Sequence, residues 1–364
     1  MEGVFFTEGL RMLKRSIKIR AEGIKRYSGN AQQICKQIIN DCWNGKYFQV
    51  SNGNFNEFYT RDFGWCTEAL LNLGYRDKVL KTLEYAMDKF VKQNKIATAI
   101  NPEGKAFDFP CFGPDNLPYF LNSLRLANAK KLIEQNKEFI ERKTKEYFNI
   151  AIDKDTGLVK KKHFSSMKDH SIRQSSCYDN CMVYLLSKNL DELKLENPFK
   201  QYNYQKLIKE NFWTGNYFLD DLSGKKYISS DSNIFPFICE VFNDKEMLKK
   251  CIQTIQKEQL DKPFPLKYSK SKKVKLAIYD CLAKGYEETS NWTHMGPMYI
   301  KLIKQIDKEK YKFHLEQYKK LIEEYGNYLE VFDPKGKPFK SLLYYADEGM
   351  LWSCNILEML EAKA

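Results

Sequence analysis

The 364-residue sequence predicts an all-α fold, an (α/α)6 barrel in which six inner and six outer helices alternate around a closed ring. Three observations predict it. Apolar residues recur at the helical period in about twelve long stretches. Those stretches alternate between lysine-poor and richly charged, and each lysine-poor one follows a loop crowded with aromatic, small and acidic residues. Helices with few charges belong inside and charged ones outside. A closed ring of this kind gathers the six loops at one end. Helical solenoids also alternate, but their units repeat more regularly and lack such loops.

In chain order, an additional N-terminal helix is expected near 8–27, within residues 1–28, as part of a single toroidal domain spanning 1–364. Helices then follow at 31–44, 63–74, 77–94, 116–127, 131–150, 177–190, 199–211, 232–242, 245–258, 291–305, 308–328 and 346–362. Every second one is introduced by an aromatic, acidic loop: FYTRDFGW (58–65), FDFPCFGPDNLPY (107–119), RQSSCYDN (173–180), KYISSDSNIFPF (226–237), GYEETSNWTHMGP (285–297) and SLLYYADEGMLWS (341–353). The intervening helices, such as DKEMLKKCIQTIQKEQ (244–259), carry the charge.

Composition narrows the function. A hydrophobic content of 43% is enough to fill a large core. The net charge of +12 comes mostly from lysines interspersed with glutamates, as in KKLIEQNKEFIERKTKEY (130–147). That spacing describes a solvated helix face, and without a dense basic stripe it argues against a nucleic-acid partner. It can still draw in an anionic substrate. Ten cysteines without a CxxC ladder read as reduced core residues, and four scattered histidines argue against a metal site. No glycine-rich phosphate loop occurs, so no cofactor is expected. No apolar run reaches the roughly 20 residues that cross a bilayer, and MEGVFFTEGLRMLKRS lacks the apolar block of a secretion signal. A cytoplasmic location with no membrane partner is the expectation.

The loops point to a ligand class. Trp65, Trp292, Trp352, Tyr59, Tyr178, Tyr344 and Tyr345 offer flat apolar faces beside carboxylates and amides. That combination suits a small carbohydrate, with its apolar C–H faces and hydroxyl rims, although aromatic residues also fill cores. Cutting a glycosidic bond needs two carboxyl groups, roughly 6.5–9.5 Å apart for an attacking water or about 5–5.5 Å for a nucleophile. In a six-membered ring the third and sixth connections face each other. The third holds Asp179, whose competing role is to cap a helix, where it would hold a lowered pKa. The sixth holds Glu330 on an extended approach, Asp333 as a turn former in DPKG, and Asp347 and Glu348 at a helix start. Asp108, Asp115 and Asp231 are substitutes, the last two resembling helix caps.

Several of these stretches carry a family likeness. SCYDN (176–180) is similar to the SGMDN element of glycoside hydrolase family 63 and its relatives in the six-hairpin superfamily, which includes trehalases and glucoamylases. NWTHMGPMY (291–299) resembles their W-R-G-P-x-W element. EVFDPKG (330–336) followed by LWS (351–353) resembles E-x-Y-x-P-x-G and F-x-W-S, and TRDFGW (60–65) resembles their early Arg/Asp signature. The matches keep the family's order over nearly the whole chain. They depart from it at Cys177, at Cys181–Val183 where the family has S-P-R, and in the three residues that part Trp292 from Gly296.

The resemblance implies an inverting hydrolase of a short α-glucoside or related disaccharide. It makes Asp179 the general acid and Glu330 the general base. It also makes Arg61 and Asp62 a clamp on sugar hydroxyls, with Trp292 and Trp352 lining the pocket; Trp65 and Tyr178 are expected to bind the sugar as aromatic faces of the loops. Arg61 has an alternative as an ion-pair partner of Asp62. The same ring also hosts phosphorylases, epimerases and lyases, and a non-catalytic sugar-binding protein would keep the aromatic pocket.

Overall fold

The computed structural model describes residues 3–270, 275–276, 285–287, 289–341 and 343–362, and for 3–9, 12, 275 and 276 the backbone alone. Residues 1 and 2 of the expected N-terminal helix, and 288 and 342 of the fifth and sixth aromatic loops, lie outside the described residues. Helix α1 (Gly3–Glu22) is followed by α2 (Ala31–Asp41), α3 (Thr60–Asn72), α4 (Arg76–Lys92), α5 (Asn116–Leu126), α6 (Lys130–Gln135), α7 (Lys137–Ala151), α8 (Cys177–Glu192) and α9 (Tyr204–Phe212). Then come α10 (Ser230–Ile238), α11 (Lys245–Lys257), α12 (Met295–Ile303), α13 (Lys308–Tyr325) and α14 (Ser353–Glu361).

The inner helices are α3, α5, α8, α10, α12 and α14. Each of the first four packs on the next, and α14 packs back on α3. Lys301 of α12 reaches Glu358 of α14 at 2.6 Å, and outer helix α13 lies against α2, which closes the ring. Charge decides which helix goes where. In α10 every residue from Ser230 to Phe237 is buried, whereas the 18-residue α13 buries only His314, Tyr318 and Ile322. The all-α (α/α)6 expectation therefore holds.

Close approach of neighbouring inner helices needs a small residue at one point. At Gly64 an added Cβ would stand 2.7 Å from the Tyr119 ring, so α3 meets α5 there without a side chain between them. The expected helix 131–150 breaks at Asn136, whose side-chain amide donates to the Leu132 carbonyl at 2.8 Å. The described cysteines are free, eight of them buried and Cys111 half-buried.

Short strands line the loop end. β1 (Phe58–Tyr59), β2 (Ala99–Ile100) and β3 (Ala106–Phe107) form one antiparallel sheet, and β4 (Ser171–Ile172) pairs with β5 (Lys275–Leu276). β6 (Asn291–Trp292) pairs with β7 (Val331–Phe332), Trp292 opposite Val331. This last pair corrects the helix expected at 291–305, which begins only at Met295; that expected at 346–362 begins only at Ser353. Residues 291 and 292 are extended because their strand partners lie about forty positions away along the chain, beyond the reach of a local period. Asp347 and Glu348 accordingly precede the helix rather than cap it. Asp347 is buried and accepts from Asn54 N (2.7 Å), Phe55 N (3.2 Å) and the Ser51 hydroxyl.

Helix α1 crosses that same end: Arg15 meets Asp347 at 3.3 Å and Glu348 at 2.9 Å, and Arg11 pairs with Glu57. A partial repeat also emerges. Trp43 bridges Phe48 in WNGKYF, and Trp213 bridges Phe218 in WTGNYF. These loops are pinned by side chains, Phe218 N to Asn233 Oδ1 at 2.9 Å and, in the matching loop after α7, Val159 N to Asn180 Oδ1 at 3.0 Å. The asparagine of Asp179-Asn180 is thus a structural peg.

Candidate active site

The N-terminal ends of the inner helices meet, and charged and aromatic side chains fill the space between them. On the α3–α5 side, Arg61 Nε lies 2.7 Å from Asp115 and its Nη2 3.2 Å from Asp169, while Tyr178 gives its hydroxyl to Asp115 at 3.0 Å. Arg61 therefore pairs across helices instead of with its neighbour Asp62. Asp115, which looked like a cap, makes no capping bond and serves as the counter-ion. Tyr178 is wholly buried and acts on Asp115 rather than on the open space. Asp62 accepts from Trp352 Nε1 at 3.1 Å. Burial pushes Asp62 up to about 7 and Asp115 to about 6, against the pull of Arg61 on both.

The α8–α10 side is built from QSSCYDN. Ser175 sits at φ 54, in the left-handed region, and turns the chain into α8. Ser176 is the N-cap: its Oγ accepts from Asp179 N at 3.0 Å and donates to Asp179 Oδ2 at 2.6 Å. The cap role that competed for Asp179 is filled by the serine. Asp179 Oδ1 is buried and accepts no hydrogen bond. Burial raises the Asp179 pKa, and the Arg173 guanidinium, followed by neighbouring serine hydroxyls, limits the rise. Arg173 supplies the positive charge that the sequence lacks at 183. It is held by Asp231 at 2.8 Å and Ser166 at 2.9 Å. Buried Lys168 contacts Asp220 at 3.0 Å and Asp231 at 3.2 Å, and Asp220 is held down at about 2 despite burial, chiefly by Lys168 and Arg173. Asp231, also expected as a cap, is an ion-pair partner. Asp108 is a loop anchor, accepting from Thr98 N at 3.1 Å and pairing with Lys95 at 3.0 Å.

Glu330 directly precedes β7 and is buried. Tyr286 donates to its Oε1, and Tyr344 and Asp347 N donate to its Oε2, the last at 2.9 Å. Burial, then the nearby Asp347 charge, pushes Glu330 up to about 7, while the three donors favour its ionised form. Asp333 is the turn former expected, its Oδ1 accepting from Lys335 N and Lys337 N.

An aromatic group joins the two sides. Tyr286 meets Trp292 at 4.6 Å, Trp292 meets His294 at 5.3 Å, and His294 meets Trp352 at 5.0 Å. The imidazole stacks on Trp65 at 4.4 Å and 5°, so one face of Trp65 is already covered. His294 lay in the insertion that parts Trp292 from Gly296, and composition gave no sign of it. Its position inside a broken motif was the available signal. Glu287, buried and accepting from His170 N at 2.7 Å, was likewise unforeseen. Among the described residues no group of three His, Cys, Asp or Glu side chains is arranged to hold a metal, and no helix is long and apolar enough to cross a membrane.

Neither a protein-family model nor a curated protein matches the chain. Solved structures do. A rhamnosidase from Klebsiella oxytoca with rhamnose bound superimposes at TM-score 0.63 and 11% identity, covering 92% of this chain and 65% of the rhamnosidase. The chain has the same six-hairpin (α/α)6 fold. A family 63 mannosylglycerate hydrolase from Thermus thermophilus in complex with Tris gives 0.62 at 9% identity over 91% of this chain and 100% of that one. A wild-type glycosidase gives 0.60 at 11% over 96% of each. This chain thus spans slightly under two thirds of the rhamnosidase and all of the mannosylglycerate hydrolase.

The raised carboxyls at the loop end predict a pH dependence of stability. Asp62, Glu330 and Asp115 hold protons in the folded chain at pH values where the unfolded chain has released them near 4. The folded state thus binds more protons, and stability falls as pH rises through about 7. Burial lowers His163, His294 and His314, which pull the other way until the pH is well past their unfolded value of about 6.5. The histidines are common to wild type and Glu330→Gln, so urea unfolding of both at pH 6.5 and 8 isolates the carboxyl: the wild type should lose about 1 kcal/mol more than the variant at the higher pH.

Proposed function

We propose that the chain is a glycoside hydrolase that cleaves a short α-linked glycoside by inversion, with Asp179 as general acid and Glu330 as general base. The observation that carries this reading is a set of buried polar atoms without partners at the starts of the inner helices. They are Asp115 Oδ1 and Asn116 Oδ1 on the α5 side, Asp179 Oδ1 at α8, Ser230 Oγ at α10, His294 Nδ1 at α12 and Ser353 Oγ at α14. Such atoms cost free energy unless something pairs with them. A polyhydroxylated ligand at the mouth offers donors and acceptors in a ring, and the indoles beside them suit its C–H faces.

The two carboxyl groups divide the chemistry. Asp179 can carry its proton on the bare Oδ1 and hand it to the leaving oxygen. Glu330 Oε2 has two donors and Oε1 one, so Oε1 keeps a lone pair for the attacking water. Arg61 and Asp62 would hold hydroxyls of the released sugar, with Trp292 and Trp352 beside it. Trp65 would back His294, and Tyr178 would act through Asp115. Free buried cysteines fit a cytoplasmic enzyme.

The test is a screen of α-linked glucosides, mannosides and rhamnosides, as disaccharides and glycerate conjugates, followed by proton NMR from the first seconds. The expected first product is the β-anomer, which then mutarotates. A first-formed α-anomer, an unsaturated product, or turnover that requires phosphate would overturn the inverting hydrolysis.

A further inference from the structure

His294 is the least explained group at the mouth. It is 2% exposed and enclosed by Trp65, Trp292 and Trp352. Its tautomer follows from one neighbour. The Tyr268 hydroxyl has a single proton and gives it to the Met167 carbonyl at 2.8 Å, since a carbonyl can only accept. The contact between Tyr268 Oη and His294 Nε2 at 3.2 Å must then run the other way, with Nε2–H donating. Burial, then the Arg61 charge, lowers the imidazole pKa and keeps the ring neutral. A neutral ring protonated at Nε2 has a bare lone pair at Nδ1, and that atom is buried without a partner.

We infer that His294 Nδ1 accepts a hydrogen bond from one hydroxyl of the bound sugar and selects sugars that present a donor there. This rests on the glycosidase reading and adds a specificity determinant to it. The site is asymmetric: Nδ1 has no proton to offer, so an ether, a methylated oxygen or a deoxygenated carbon at that position leaves the lone pair buried and unpaired. A hydrogen-bonding site of this kind rejects an analogue lacking the hydroxyl far more strongly than an apolar wall does. The tryptophan cage and Tyr268 fix the ring, so the acceptor is positioned before the ligand arrives.

The experiment uses the full chain and D-glucose, D-mannose and L-rhamnose as probes. Affinity is read by ligand-detected NMR for the wild type, His294→Phe and His294→Asn. Phenylalanine keeps the stack on Trp65 and deletes the acceptor; asparagine returns an oxygen close to the Nδ1 position. The best wild-type sugar should bind His294→Phe at least about tenfold more weakly, and His294→Asn should recover most of the loss. Its monodeoxy analogues should include one that the wild type rejects by the same factor and His294→Phe does not.

Nitrogen-15 NMR of the wild-type histidines gives a readout that needs no variant to fold. His294 should show the Nε2–H tautomer, and its Nδ1 resonance should move upfield on saturation with the sugar. Equal affinity of wild type and His294→Phe, or an unmoved Nδ1 resonance in the sugar complex, would overturn the inference and leave the glycosidase reading standing. A wild type that binds none of these sugars and cleaves none of their glycosides would overturn both.

Discussion

Asp179→Asn and Glu330→Gln should each lower turnover by about 10³-fold, the scale of a lost general acid or base, while sugar affinity stays within a few-fold of wild type. On the proposed assignments each substitution removes a proton-transfer function and little else. The asparagine oxygen can still accept from Ser176 Oγ, which donates to Asp179 Oδ2 at 2.6 Å. The glutamine oxygen can still accept from Tyr344 and Asp347 N. A change of leaving group separates the two roles. A glycosyl fluoride departs without a proton, so Asp179→Asn should recover much of its activity on the fluoride, whereas Glu330→Gln should stay inactive because water must still be activated. Rates on natural glycosides and on fluorides, measured side by side, decide the matter. Recovery in the glutamate variant instead would exchange the two assignments, and full activity in either variant would remove that residue from the mechanism.

The ring itself was legible because burial writes a local signal. A helix such as α10, buried over Ser230–Phe237, tolerates almost no charge, and one such as α13 accumulates it, so alternation along the chain reports alternation in space. The ends of the elements were less legible. Trp292 and Val331 are strand partners, and nothing within a helical window around either residue announces the other. The same reason hid the partners of the charged side chains. Asp115 and Asp231 stand where caps stand, yet Arg61 and Arg173 reach them from other elements. Arg173 illustrates a second limit: the family pattern places an arginine after the aspartate, and this chain brings a guanidinium to the same carboxylate from six residues before it. His294 was illegible for a third reason, because its protonation follows from Tyr268 and Arg61, which only the folded chain places beside it.

The second large effect is on the pH profile. With Glu330 as base and Asp179 as acid, turnover needs the glutamate ionised and the aspartate protonated, so kcat/KM should be bell-shaped, with the limb set by Glu330 near 7. Its surroundings pull that limb in opposite directions. The Tyr286 and Tyr344 hydroxyls donate to the ionised form and so depress the pKa; Asp347 is a like charge and raises it. Tyr286→Phe and Tyr344→Phe should therefore move the Glu330 limb to higher pH, by up to about one unit each. Asp347→Asn should move it to lower pH. Loss of a generic structural contact would scale the whole profile down without displacing it, and would not reverse sign between the tyrosines and the aspartate. Initial rates from pH 5 to 9 on one substrate, for the wild type and the three variants, provide the test. A limb that keeps its position in all of them takes Glu330 out of the role of base.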